Sequence, residues 1–187
     1  MHDTIKNEVD TIRSTVKPFH SVPQLSIIPL TMFTHNAMIM SPHTTPTLYS
    51  LSKNKSVCNM FINILAPNSS TPWHKDWDCV TNSCLRIQYG ISVPCNCGVQ
   101  FDKNTYHHAS KQSHMLDVSQ SHMTFNYSGE ERVLLLIDIL RSEIVTGSGL
   151  QCPGNTIANL LSYFDNDSSS KISNVFDHHY TSNALSS

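Results

Sequence analysis

His74 and Asp76 stand one residue apart in the stretch Pro72-Trp73-His74-Lys75-Asp76-Trp77-Asp78, which holds both tryptophans of the chain. On an extended strand, residues i and i+2 project from the same face, so an imidazole and a carboxylate at this spacing can reach one point in space. They are two corners of a two-histidine, one-carboxylate facial triad, a donor set that leaves positions open on an octahedral iron. The triplet is also common by chance in polar loops. Asp78 competes with Asp76 as the carboxylate, although its i+4 spacing from His74 suits a helix and Pro72 points to extended chain. The third ligand has to come from a distant strand.

His122 near the start of SHMTFNY is the candidate, and Arg132 opens the apolar run RVLLLIDIL that follows. Asn126-Tyr127-Ser128-Gly129-Glu130 between them is a turn sequence, so the pattern predicts a hairpin with His122 and Arg132 on neighbouring strands, both facing inward. A guanidinium aimed into a barrel needs an anion, because an unpaired buried charge is costly. A dicarboxylic acid that chelates a metal at one end and meets Arg132 at the other answers that need, since arginine's planar fork binds carboxylates in two-point fashion. That is the logic of a 2-oxoglutarate site.

The elements that must position these residues are mostly strands. Segments 56–65, 84–93, 98–101, 114–118, 121–127 and 132–140 are β-rich and separated by turn residues. Val133 to Leu140 is apolar on nearly both faces, which predicts a central strand covered on each side. Short strands in series without intervening helices predict a mainly β sandwich or barrel. Ahead of them, Ile5, Val9, Ile12 and Val16 form one apolar stripe on a short helix over Asp3 to Lys17. The proline-rich run to Pro46 predicts extended segments and turns. A short helix at Thr156–Phe164, a polar linker at 165–170 and a frayed tail are expected at the C-terminal end. The expected division is an N-terminal helix and extended segment packing on the core (1–50), the core (51–145) and a partly flexible extension (146–187).

Composition narrows the partners. With 12 basic and 14 acidic residues the chain shows no electrostatic footprint for nucleic acid. No apolar signal segment or bilayer span is visible, so a cytoplasmic location is expected. The cysteines at 58, 79, 84, 95, 97 and 152 are then mostly reduced thiols, and their spacing is not that of a zinc ribbon. Oligomeric state is left open.

Three blocks, LAPNSSTPWH (65–74), LRIQYGISVP (85–94) and SHMTFNYSGEERVLLLIDIL (121–140), resemble the aspartyl/asparaginyl β-hydroxylase family of Fe(II)/2-oxoglutarate dioxygenases. The family pattern is a strand ending in Leu-x-Pro-Gly before a metal histidine, then a Leu-Arg-x-His-x-Gly-x-x-x-Pro strand. A second histidine follows, with Asn-x-Ser and Glu-x-Arg-Val, closing on a strand with an internal aspartate. The resemblance spans about residues 58–141 and implies a double-stranded β-helix (jelly-roll or cupin) core. It implies His74 and His122 as metal ligands beside Asp76, Arg132 as the 2-oxoglutarate anchor, and Arg86 and Asn63 as further co-substrate contacts. Three departures stand out. Asn68-Ser69 replaces the glycine of the turn, Gln88 replaces a family histidine near the co-substrate, and the segment after His74 is longer. A carboxylate at the position of Asp76 is found in bacterial relatives and not in the animal aspartyl hydroxylases.

The implied activity is hydroxylation of an aspartyl or asparaginyl side chain, or a related amino acid, with O2 consumed and succinate and CO2 released. The substrate is a small molecule or a peptide. Two other classes compete: a non-oxygenase metal cupin acting as isomerase or lyase, and a non-catalytic binding module. Plainer roles also exist for single residues. Arg86 suits an ordinary surface ion pair, Asp138 a buried hydrogen-bond acceptor, and Trp73 and Trp77 packing. His107, His108, His114, His178 and His179 look like loop histidines without a role.

Overall fold

The computed structural model describes residues 1–32, 35–37, 40–76 and 81–141. Helix α1 (His2–Thr15) leads into β1 (Phe19–Val22), β2 (Leu25–Met32) and β3 (His35–Asn36), then helix α2 (Pro46–Ser52). The strands that follow are β4 (Val57–Leu65), β5 (Ser69–Ser70), β6 (Cys84–Ser92), β7 (Cys97–Phe101) and β8 (Thr105–His107). Strands β9 (Ser113–Leu116), β10 (His122–Asn126) and β11 (Arg132–Leu140) complete the described chain. They form two antiparallel sheets, a seven-stranded one ordered β1-β2-β4-β11-β6-β9 with β3 beside β2, and a four-stranded one ordered β5-β10-β7-β8. This is the mainly β architecture expected of the strand pattern, in the jelly-roll form that the family resemblance implies. The expected helix at Thr156–Phe164, the linker, the tail, Trp77, Asp78, Cys79 and Cys152 lie outside the described residues.

Strand β11 sits between β4 and β6 and is buried on both faces. Its outward residues Val133 and Leu135 join Ile62 and Ile64 of β4 and Ile91 of β6 in one apolar layer. The stripe of α1 (Ile5, Val9, Ile12) and Leu48 of α2 cover that layer. Each such side chain taken fully out of water contributes about 1.5–3 kcal/mol, which is why the amphipathic helix docks there. The buried Glu8 of α1 fastens the second helix, accepting the N–H groups of Thr47 and Leu48, both at 2.9 Å. These would otherwise be orphan donors at a helix start. Among the described residues no helix is long and apolar enough to cross a membrane.

The proline-rich run supplies more than turns. Its segment Leu25–Met32 pairs along β4, and Pro29 is accommodated where the register shifts between Pro29 and Thr31. A residue without an N–H is tolerated in a sheet at such an irregularity. Asn68 adopts φ 47°, the left-handed conformation that asparagine accepts in place of the glycine of the turn.

The predicted hairpin between His122 and Arg132 does not form. Strand β10 pairs with β5 and β7, whereas β11 pairs with β4 and β6, so the turn is an arch from the small sheet to the large one. The cause is Asn126, fully buried at the foot of the arch. Its Nδ2 donates to the carbonyls of Leu65, Ala66 and Glu130, and its Oδ1 accepts from the Ser128 N–H and hydroxyl. The amide ties the turn to the end of β4 in the opposite sheet. His122 and Arg132 therefore belong to opposed sheets, and both look into the space between them.

Gly90 of β6 lies against the segment that follows β8. A Cβ there would lie 2.1 Å from the Ala109 carbonyl oxygen, so only glycine lets the segment after β8 cross β6. The Gly90 N–H donates to Gln112 and the Lys111 N–H to Gly90, both at 2.9 Å. Gly90→Ala is expected to lose about 2 kcal/mol or more, the cost of forcing backbone apart in a packed core. Urea unfolding midpoints of the two proteins measure it.

Candidate metal centre

His74 and His122 face each other across a single antiparallel bridge in which each N–H donates to the other's carbonyl, at 2.9 and 2.8 Å. A directly opposed pair carries its side chains on the same face, and the two rings stand 4.4 Å apart between centroids. Each ring is oriented by the carbonyl two residues before it. Nδ1 of His74 lies 2.8 Å from the Pro72 oxygen, and Nδ1 of His122 lies 2.8 Å from the Gln120 oxygen. A carbonyl accepts only, so Nδ1 carries the proton and Nε2 is left with a free lone pair, the tautomer a metal ligand needs.

Asp76 completes the group. Its N–H donates to the Val118 carbonyl at 3.1 Å, and its Oδ1 lies 3.4 Å from His74 Nε2 and 3.6 Å from His122 Nε2. Ligand atoms of the three residues fall within 4.8 Å of one another. Neighbouring donors at ordinary metal–ligand lengths of roughly 2.0–2.2 Å sit about 3 Å apart, so a small inward shift suffices for a transition metal. The donor set and the fixed tautomers fit such an ion. Desolvation works against protonating His74, but the adjacent Asp76 carboxylate prevails and raises it. His122 is buried more deeply and desolvation lowers it.

The other oxygen of Asp76 accepts from Nη1 of Arg86. Arg86 also clasps Asp138 two-pronged, through Nε at 2.7 Å and Nη2 at 3.0 Å, and Asn59 reaches the same carboxylate at 3.3 Å. Arg86 and Asp138 are directly opposite on β6 and β11, which is why the clasp is so complete. Arg86 is buried, not the surface residue of the plainer expectation, and Asp138 is the buried acceptor that expectation named. Burial alone would push the Asp76 carboxyl up, yet Arg86 and the two histidines hold it far below the usual carboxylate range.

Arg132 contrasts with Arg86. It is 1% exposed, and among the described residues no carboxylate pairs with it. Nη2 donates to Asn63 Oδ1 at 2.7 Å, and Nη1 donates to the Thr124 hydroxyl. Nη1 also stands 3.5 Å from His108 Nδ1, and among the described residues Nε has no partner. Burial pushes the guanidinium down to about 10. A cavity of about 130 Å³ joins this corner to the histidines, with Phe61, Leu134 and Leu136 as its apolar wall and Gln88 on β6 beside them. The candidate residues His74, Asp76, His122, Arg132, Arg86, Asn63 and Gln88 thus all line one cavity.

Two residues were not anticipated. Thr124 lies two positions after His122 on one strand face, a period-two signal present in the sequence. His108, expected to be a loop histidine, is buried, with Nε2 2.7 Å from Gln88 Oε1. No local pattern marks it, because its place depends on the crossing at Gly90. The cysteines form no metal cluster among the described residues. Cys58, Cys84 and Cys97 are buried thiols, Cys95 is exposed, and the Cys97 thiol donates to Asn126 Oδ1 at 3.1 Å.

The family model for aspartyl/asparaginyl beta-hydroxylase matches residues 29–142. No curated protein sequence matches the chain. Among solved structures, an oxidoreductase of the 2OG-Fe(II) oxygenase family from Burkholderia pseudomallei is similar with a TM-score of 0.54 and 9% identity, over 78% of this chain and 82% of that one. A predicted oxalate decarboxylase from Thermotoga maritima has a TM-score of 0.44 and 14% identity, over 68% of this chain and 96% of that one. At 9% identity the likeness to the Burkholderia protein is one of fold.

His108 generates a pH prediction. Burial, with the Arg132 charge beside it, pushes its imidazole down to about 3, against an ordinary value of about 6.5. The unfolded chain therefore takes up the proton first. Stability is full above about pH 6.5 and falls toward pH 3 by up to about 1.4 kcal/mol per pH unit. In His108→Gln that part of the fall should vanish, as urea unfolding across the same pH range will register.

Proposed function

Because the chain belongs to the aspartyl/asparaginyl β-hydroxylase family, we propose that it is an Fe(II)- and 2-oxoglutarate-dependent dioxygenase that hydroxylates an aspartyl or asparaginyl side chain, or a related amino acid. The observation that carries this reading is Arg132, a buried guanidinium without an anionic partner at one corner of the cavity that holds the His74, Asp76, His122 group. An unpaired buried charge costs several kcal/mol, and an anionic ligand offsets it.

In this reading His74, Asp76 and His122 hold iron(II), and Arg132 binds the far carboxylate of 2-oxoglutarate with Asn63 and Thr124 fixing its plane. Thr124 and His122 share one face of β10 two residues apart, a rise of about 7 Å that suits the length of a short dicarboxylate. When bound, iron(II) with 2-oxoglutarate supplies the oxidant from O2, and the co-substrate leaves as succinate and CO2. Arg86 keeps one Asp76 oxygen occupied and the other turned toward the histidines. Phe61, Leu134 and Leu136 exclude water from the space between the two polar corners, which strengthens the charge pairing at Arg132. The substrate is a small molecule or a peptide residue.

Anaerobic addition of iron(II) and 2-oxoglutarate should produce a weak visible absorption band. His122→Ala and Arg132→Met should each abolish it. A wild-type protein without the band would sink the proposal. At 2-oxoglutarate concentrations about 100 times Kd, the wild type should also gain about 2.7 kcal/mol of stability and Arg132→Met none, as thermal unfolding will show.

A further inference from the structure

We infer that His108 is a positioning residue that sets the hydrogen-bond polarity of the anion pocket, by turning the Gln88 amide so that its N–H donors face the cavity beside Arg132. The direction of this relay follows from what each group can do. Arginine only donates, so the His108 Nδ1 that stands 3.5 Å from Nη1 of Arg132 has to accept. The imidazole proton then resides on Nε2, which lies 2.7 Å from Gln88 Oε1 and donates to it. With Oε1 occupied, the remaining capacity of Gln88 is its NH2 group, and Gln88 lines the cavity. Arg132 and Gln88 then both present donors to the cavity, beside Asn63 and Thr124, an arrangement that favours a carboxylate over a neutral group needing a donor of its own.

The backbone holds His108 to this task. Its N–H donates to the Cys97 carbonyl at 2.9 Å, and the residues after it cross β6 where Gly90 has no side chain. Among the described residues no hydrogen bond joins His108 to His74, Asp76 or His122, so its influence is expected on the far carboxylate alone. This inference rests on the dioxygenase reading above, and it extends that reading to a residue outside the family-matched motifs.

The test uses calorimetry on the manganese(II)-loaded protein with two ligands, 2-oxoglutarate and oxalate, of which only the first carries a distal carboxylate. In His108→Leu, 2-oxoglutarate binding should weaken about tenfold or more, as loss of a charge-assisted network predicts, with oxalate and manganese(II) affinities unchanged. His108→Gln offers an acceptor and a donor in the same order and should restore most of the loss. Undiminished 2-oxoglutarate binding in His108→Leu overturns the inference alone, as does an equal fall for both ligands. Failure of the wild type to bind 2-oxoglutarate overturns the dioxygenase reading and this inference with it. A measurement on the unmodified protein guards against a misfolded variant. Nitrogen-15 spectra of the imidazole near pH 6 should show the neutral Nε2–H tautomer, and an Nδ1–H or doubly protonated ring would overturn the relay.

Discussion

Taking a guanidinium out of water costs several kcal/mol, and this protein does so twice on adjoining strands. Arg86 is compensated within the fold. Its donors meet Asp138 and Asp76, and its charge is neutralised by residues of the chain itself. Arg132 is met by neutral acceptors, Asn63, Thr124 and His108, and among the described residues one of its nitrogens donates to nothing. The first arginine makes the cavity a stable structure, and the second leaves it with an unanswered charge. The proposed co-substrate site follows from that difference.

The candidate ligand group shows how backbone pairing does work that side chains cannot. The two histidines are set opposite each other by their own N–H and carbonyl groups, and their rings are turned by carbonyls two residues upstream. Asp76 is held by Val118 through the backbone and by Arg86 through its carboxylate. Because Arg86 also grips Asp138 on β11, the position of a candidate ligand on the rim is tied to the central strand of the large sheet. Displacing Asp138 would leave the buried Arg86 charge without its two-point partner in a low-dielectric space, so the position of Asp76 depends on that pair.

Strand β11 is where fold and site share the same residues. Its alternate side chains divide between the apolar layer under α1 and α2 and the cavity wall. A one-residue slip would send Arg132 into the apolar layer and Val133 into the cavity. The helices are therefore more than a cover, since burying one face of β11 fixes which residues the other face presents.

Much of this was legible in the residues. The six strand segments, the amphipathic helix and the doubly covered β11 follow from periodicity, and the His74-x-Asp76 spacing with His122 and Arg132 pointed to a ligand group and an anion anchor. The turn between His122 and Arg132 reads as a hairpin in sequence and forms an arch in the fold, because turn residues do not say whether a chain returns along its own sheet or crosses to another. Asn126 decides that, through contacts with Leu65 and Ala66 that lie far away along the chain. His108 is illegible locally for the same kind of reason, since its partners Gln88 and Arg132 are distant along the chain. Residue types and local spacing determined which groups are available for chemistry, since they depend only on side-chain identity and strand period. Which of them share a cavity, which arginine finds a carboxylate and which stays unpaired were decided by the tertiary structure alone, because those outcomes rest on contacts between segments that only packing brings together.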